Sequence, residues 1–390
     1  MSFTLCRILF TALLLFIGAA ATAASTETQK NDSILAGKKK PGLVSRVINY
    51  FDNANKRDIT RRPDFSFIGG PHYSSDAGLG LGLVMAGVYS TCPEDTLQLP
   101  SNVSIFADAS TKKYFKVGIE GIHVYRHGDR RVNYEVSFKS YDTYFWGIGY
   151  DRARSERNKS RYTLLDLKIF ADHLWRFHRN LFGGPLMELD YIKANHPDGD
   201  PTWAGITART TSLALGGHLV LDTRDNLTYP TRGWLGELSQ KFYPRFFGNS
   251  NHSFSETEGA VNFYHGVWRG GVIAARLHGC FTYGRTPWGL MPTVGGRGAL
   301  RGYYEGQYRD KCETDVVVEL RQKIYHRIGM AAWVGMGAVY PDFRRFSRRY
   351  LLPNAGIGYR WELKRNTNVR LDVGFGKGCW GLEININEAF

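Results

Sequence analysis

Long apolar runs are almost missing from this chain. Only Ile8–Ala20 is continuous, and it falls short of the roughly 20 residues that cross a bilayer as a helix. With Arg7 before it and Ala21-Thr22-Ala23 after it, the run reads as a cleaved signal peptide over residues 1–23, not a membrane anchor. No transmembrane helix is expected in the mature protein. Cysteine is scarce as well. Apart from Cys6, the chain has Cys92, Cys280, Cys312 and Cys379, far apart and without CxxC spacing, which argues against zinc. The sequence leaves three pairings open, with free, half-buried thiols the simpler expectation. Acidic residues are in deficit, 36 against 50 Lys and Arg, for a formal charge of +14. The basic residues are scattered and carry no recognisable nucleic-acid motif, so no nucleic-acid partner is expected. A charged lumen, or loops meeting anionic headgroups, accounts for the same excess. Catalytic signatures are absent too. No serine lies in a G-x-S-x-G elbow, and Gly295–Gly302 lacks the Gly-Lys-Ser/Thr ending of a phosphate loop. His218 and Asp222 have no nucleophile beside them. The expectation is no enzyme, no catalytic residue, no cofactor and no metal site. Asp222–Asp225 reads as a turn that satisfies its own backbone, in preference to a calcium site.

What the chain does have is 14% aromatic residues, 44 glycines and a period of two. Residues 24–63 are polar, with a lysine run at Lys38–Lys40, and read as a short periplasmic tether. From residue 64 to 390, sixteen strand-like segments follow one another, from Phe65–Tyr73 to Trp380–Asn387. In Glu313–Ile324, Thr314, Val316, Val318, Leu320 and Ile324 share one face; Glu313, Asp315, Glu319, Arg321 and Lys323 take the other. Val369, Leu371, Val373 and Phe375 likewise oppose Arg370, Asp372, Gly374 and Gly376. Connectors after odd strands are mostly long (Tyr141–Arg161, Ala194–Arg209, Gly284–Cys312), and those after even strands mostly tight (Phe177–Asn180, Arg269–Gly270, Tyr325–Arg327). An even strand count with loops sorted by length points to an all-β fold: a transmembrane antiparallel β-barrel of about 16 strands, in outer-membrane lipid. An apolar face that would aggregate in water is needed there.

Ahead of the Glu313–Ile324 strand lies Gly295–Asp310, with five glycines, three arginines and no apolar period. Within it, Leu300-Arg301-Gly302-Tyr303 resembles the V-R-G-F/Y motif of the BamA and TamA superfamily of outer-membrane barrels, the bacterial surface antigens. Asp222-Thr223-Arg224-Asp225-Asn226, with Pro230 and Gly233-Trp234, resembles that family's D-x-R-D … P-x-x-G element. Asn387-Glu388-Ala389-Phe390 is similar to its carboxyl-terminal insertion signal. The resemblance spans roughly Phe65–Phe390. It implies a sixteen-stranded barrel whose sixth external loop folds into the lumen, where the motif arginine meets acidic residues of the twelfth and thirteenth strands. The thirteenth strand departs from the family's F-x-D-x-G, reading Trp333-Val334-Gly335-Met336-Gly337. Arg301 is therefore expected to pair with Glu319, with Asp372 and Glu383 in reserve. The insertion signal is expected on the apolar face formed by Trp380, Leu382, Ile384, Ile386 and Phe390.

A tether of this length is too short for the periplasmic POTRA domains that family assembly factors carry. The resemblance implies a barrel that helps insert or translocate proteins, or lipids, through a weakly closed seam between its first and last strands. In that case it needs the barrel assembly machinery for its own insertion and a separate periplasmic partner for its clients. A plugged barrel serving as a surface-binding or accessory structural protein, or a passive pore, stays open as an alternative.

Overall fold

The computed structural model describes residues 64–74, 78–92, 100–196, 199–247, 252–295, 299–364 and 367–390. The expected signal peptide and tether lie outside the described residues. Eighteen strands form, in chain order: β1 (Asp64–Ser74), β2 (Gly78–Tyr89), β3 (Ser101–Ser110), β4 (Phe115–Val124), β5 (Arg130–Phe145) and β6 (Ser160–His178). Then come β7 (Leu181–Asn195), β8 (Arg209–Asp222), β9 (Gly233–Tyr243), β10 (Phe254–Trp268), β11 (Gly271–Gly284), β12 (Thr293–Val294) and β13 (Tyr308–Arg309). The last are β14 (Cys312–Tyr325), β15 (Ile328–Tyr340), β16 (Leu351–Lys364), β17 (Thr367–Gly376) and β18 (Cys379–Ile386). All but β12 and β13 close into one antiparallel barrel of sixteen strands, each beside its neighbour in sequence, with β11 pairing directly with β14. Among the described residues no helix is long and apolar enough to cross a membrane; the strands do the crossing.

The period of two decides the faces. On β14, Val316, Val318 and Leu320 are exposed on the outer wall, while Glu319 and Arg321 are buried inside. Leu79, Leu81 and Leu83 on β2 and Leu215, Leu219 and Leu221 on β8 extend the apolar band. In lipid this face is at home, and an arginine at its midplane costs about 2–4 kcal/mol. Trp175, Phe177, Trp234, Trp268 and Tyr325 are exposed near the short-turn end, the level where an aromatic girdle meets headgroups. The register slips at the tight turns are local, between Arg176 and His178, Gly266 and Trp268, Lys323 and Tyr325, and Glu362 and Lys364. One residue bulges out there, which lets a two-residue turn reverse a twisted ladder.

Two strands run longer than their sequence suggests. Val132–Ser140 and Tyr162–His173 alternate well, yet β5 and β6 pair on to Phe145 and Ser160. The reason is tertiary: Phe145 and Tyr162 are held in an aromatic cluster with Trp203 and Trp288, brought by two other loops. The seam is the opposite case. All eleven residues of β1 pair with β2, but among the described residues β1 and β18 share one register pair, Ser74↔Glu383.

Candidate functional site

In the long external loop, residues 285–295 and 299–311 fold into the lumen. Their ends are tied by a small ladder, Thr293 opposite Arg309 and Val294 opposite Tyr308. Leu300, Tyr303 and Tyr308 then pack with Val317, Trp333, Val339 and Leu352 of the inner wall. The preceding β5–β6 connection supports them: Tyr150 stacks on Tyr308 at 5.6 Å, and the Gly149 N–H donates to the Arg309 carbonyl at 2.8 Å.

Glycines make the seat. An added Cβ on Gly337 would stand 2.2 Å from Leu300, and one on Gly376 2.5 Å from the Tyr303 ring. At the centre two backbones touch. Gly302 has φ +104°, and its Cβ would lie 2.5 Å from the Gly374 carbonyl; a Cβ on Gly374 would lie 2.1 Å from the Arg301 carbonyl. Only glycine on both sides permits that approach.

Arg301, fully buried, sits in this trough. Its Nη2 donates to Glu319 Oε2 at 2.5 Å and its Nη1 to Asp372 Oδ2 at 2.8 Å. The guanidinium plane lies 3.5 Å over the Trp333 ring, and its carbonyl accepts from Asn354 Nδ2 at 2.6 Å. Asn354 Oδ1 in turn accepts from Trp333 Nε1 at 2.8 Å. A guanidinium forked between two carboxylates over an indole is what arginine, and not lysine, can satisfy. Tyr303 donates to the Pro353 carbonyl at 2.6 Å and accepts from the Lys377 N–H at 2.8 Å, so it bolts the same loop to β16 and the β17–β18 turn.

Asp372 is a direct partner of Arg301, not a reserve; Glu383 stands at the seam, opposite Ser74. The second acceptor thus comes from β17, and at Gly335, where the family pattern has an acid, Leu300 lies 3.4 Å from an ideal Cβ. Nothing in the order of residues announces this swap, although Arg370, Asp372 and Gly374 on one face mark an inner wall. Around the pair the charges continue. Arg360 Nη1 and Arg370 Nη1 also reach Asp372, at 2.5 and 2.8 Å, and Arg321 Nε reaches Glu319 Oε1 at 2.7 Å. Arg360 Nε meets Glu388 Oε2 at 2.8 Å.

The terminal residues depart from expectation. Trp380, Leu382 and Ile384 lie on β18 as an alternating set, with Trp380 exposed on the outer wall, and Ile386 ends that strand. Phe390 does not continue their face. Asn387 takes φ +67°, which breaks the alternation, and the last residues turn inward. Phe390 then packs against the loop cluster, its ring 5.4 Å from Arg321 and its backbone oxygen accepting from Arg321 Nη2 at 2.8 Å. Glu388 is likewise internal.

The second motif is a turn between β8 and β9. Arg224 clasps Asp222 through Nε and Nη2 at 2.9 and 2.8 Å, and Asp225 accepts from the Thr231 and Arg232 N–H groups at 2.8 and 3.2 Å. Gly233, at φ +107°, approaches the Thr223 carbonyl too closely for any Cβ. Ser212 and Ser239 lie on β8 and β9, and His218 Nδ1 is bonded to Asp172 at 2.8 Å. Cys92, Cys280, Cys312 and Cys379 are free thiols. One trio of metal-ligand types clusters among the described residues, His278, Glu313 and Asp315. Both nitrogens of His278 face carboxylates, Nδ1 at 3.0 Å and Nε2 at 3.3 Å from Glu258, an arrangement that suits a charged imidazole better than a ligand.

The barrel resembles solved structures. BamA from Haemophilus ducreyi lacking POTRA domains 1–3 superposes with a TM-score of 0.55 at 13% identity, over 90% of this chain and 79% of that one. CdiB from Escherichia coli gives 0.52 at 14% identity, over 90% and 72%; CdiB from Acinetobacter baumannii gives 0.52 at 11%, over 83% and 59%. At such identities the likeness is one of fold. No curated protein matches the chain. The model of the Omp85 superfamily domain, however, matches residues 95–372, from β3 through the Arg301 loop to Asp372 itself. With sixteen strands, a lumen loop pinned by its arginine and that match over most of its length, the chain belongs to the Omp85 superfamily of outer-membrane β-barrels.

Proposed function

We propose that this barrel assists the insertion or translocation of proteins, or of lipids, at the outer membrane, with the β1–β18 seam as the working edge. The seam carries the proposal: among the described residues one register pair joins β1 to β18, where neighbouring strands share eight or more. A strand edge that is only briefly paired is a place where another strand can add. Elsewhere the wall is closed by full ladders, and the pinned loop occupies part of the lumen, which supports work at the edge over passage through an open pore. In this scheme the barrel assembly machinery inserts the chain itself, and a separate periplasmic partner delivers clients.

Locking the seam tests the proposal. Ser74→Cys and Glu383→Cys, with Cys92 and Cys379 changed to serine, should join β1 to β18 under oxidation. If the seam works, the locked barrel lowers the amount of at least one other outer-membrane protein, and reductant restores it. An unchanged outer-membrane composition after locking, in cells that depend on this chain, would overturn the proposal in favour of a surface-binding or accessory role. Cross-linked envelopes from the same cells show whether a periplasmic partner copurifies.

A further inference from the structure

The connection from β15 to β16, residues 341–350, reads PDFRRFSRRY: four arginines against one aspartate. It belongs to the long-loop, external end of the barrel, but it does not stand up into water. By alternation Cys312 on β14 and Ala338 and Tyr340 on β15 point outward, as Val316, Val334 and Met336 do further along the same face. The latter three are exposed; Cys312, Ala338 and Tyr340 are only 3%, 3% and 5% exposed. The loop covers them. The Phe343 ring lies 4.7 Å from Phe281 and 6.1 Å from Tyr340, and the Phe346 ring 5.3 Å from Tyr340. Tyr350 and Leu351 complete the cluster. The segment therefore folds back over the outer wall at the external rim, continuous with the lipid-facing band.

Its shape is set locally. Asp342 accepts from the N–H groups of Arg344 and Arg345 at 2.9 and 3.1 Å, which fixes the turn Phe343–Arg345. Arg345 pairs with Asp342 at 3.3 Å and Arg349 with Asp151 at 3.0 Å. Arg344 and Arg348 are exposed and have no ion-pair partner among the described residues. Phe343 and Phe346 stay 57% and 49% exposed although they pack on the wall. Half-exposed phenylalanines beside unpaired arginines, against a lipid-facing surface, match an interface that is apolar below and anionic above.

We propose that residues 341–350 clamp the phosphorylated headgroup of an outer-leaflet glycolipid. Phe343 and Phe346 enter the edge of the acyl layer, and Arg344 and Arg348 bind the phosphate through their planar forks. Such a contact would anchor the barrel in register with the outer leaflet, whatever passes its seam.

The probe is lipid A carrying both phosphates, titrated into the full-length barrel in zwitterionic detergent and followed by native mass spectrometry. Wild-type barrel should retain it, and dephosphorylated lipid A should bind far more weakly. Each arginine near an anionic surface contributes roughly fivefold, so Arg344→Ala with Arg348→Ala should weaken binding about twenty-five-fold. Phe343→Ala with Phe346→Ala should weaken it too, and retained heat-modifiability shows that each variant is folded. If the phenylalanine variant does not fold, the arginine pair decides alone. Equal binding of dephosphorylated lipid A, or an arginine variant within about twofold of wild type, would overturn the proposal. So would full displacement by millimolar inorganic phosphate, which marks a plain anion site, or a dimer mass abolished by the arginine changes, which marks a second copy as the occupant.

Discussion

Arg301, Arg321, Arg360 and Arg370 face Glu319, Asp372 and Glu388 on the inner wall, and how each acid is shared sets what its loss costs. Asp372 accepts from three guanidiniums, whereas Glu319 accepts from two. Removing one member of a buried pair costs about 3–5 kcal/mol when the other is left uncompensated. Asp372→Ala strands the most charge and should loosen the loop most, at the upper end of that range. Arg301→Ala leaves Glu319 with Arg321, and Asp372 with Arg360 and Arg370, so it belongs at the lower end. Arg301→Lys should not rescue, since an ammonium cannot fork between two carboxylates and lie flat on Trp333. Limited proteolysis of residues 285–311 in folded barrels measures each step. Arg301→Ala combined with Glu319→Ala should cost little more than either change alone. Additive losses, or none, would remove the network as the latch.

Among the elements, the lumen loop and the wall of β15–β17 meet as backbone against backbone, and glycine decides whether they can. Gly302→Ala adds both a clash with the Gly374 carbonyl and a left-handed residue with a Cβ, the latter alone about 1–2 kcal/mol. It should expel the loop and expose it to protease while the barrel stays heat-modifiable. Gly199→Ala is the control: φ is +75° there, but no atom lies within 4 Å of the new Cβ, so only the conformational cost applies. Equal effects would mean that the close approach carries nothing. The end of β18 separates two roles for Phe390. The packing of its ring on Arg321 and on the loop cluster predicts that Phe390→Ala loosens the lumen loop even in barrels refolded in detergent. The proposed insertion signal, Trp380, Leu382, Ile384, Ile386 and Phe390, predicts less folded barrel in cells, where machinery reads it. Wild-type amounts in membranes would end the second role without touching the first.

At the scale of the whole molecule, the chain must reach the outer membrane before its seam can act. The outer-membrane barrel needs an export path, and we propose that the pattern Arg7, Ile8–Ala20 and Ala21-Thr22-Ala23 supplies one. Amino-terminal sequencing of barrel taken from outer membranes should begin after residue 23; a chain that starts at Met1 would sink cleavage.

Alternation by itself determined most of the architecture. A period of two states which side each residue takes, so Glu319 and Arg321 opposite Val318 and Leu320 could be read as lumen against lipid. Loop lengths then sorted the two ends, and Leu300-Arg301-Gly302-Tyr303 marked the loop that enters. What alternation does not state is depth along the barrel, nor which distant strand stands across the lumen. Asp372 is 71 residues from Arg301 and reaches it only because closure curls β17 round to the loop. The indole of Trp333 and the shared Asn354 bond are placed by the same curvature. Where β5 and β6 end is set by Trp203 and Trp288 arriving from other loops. The inward turn at Asn387 follows from one backbone angle, and the outward fold of residues 341–350 from which apolar surface lies within reach. Those are properties of packing, and packing exists only once the barrel has closed.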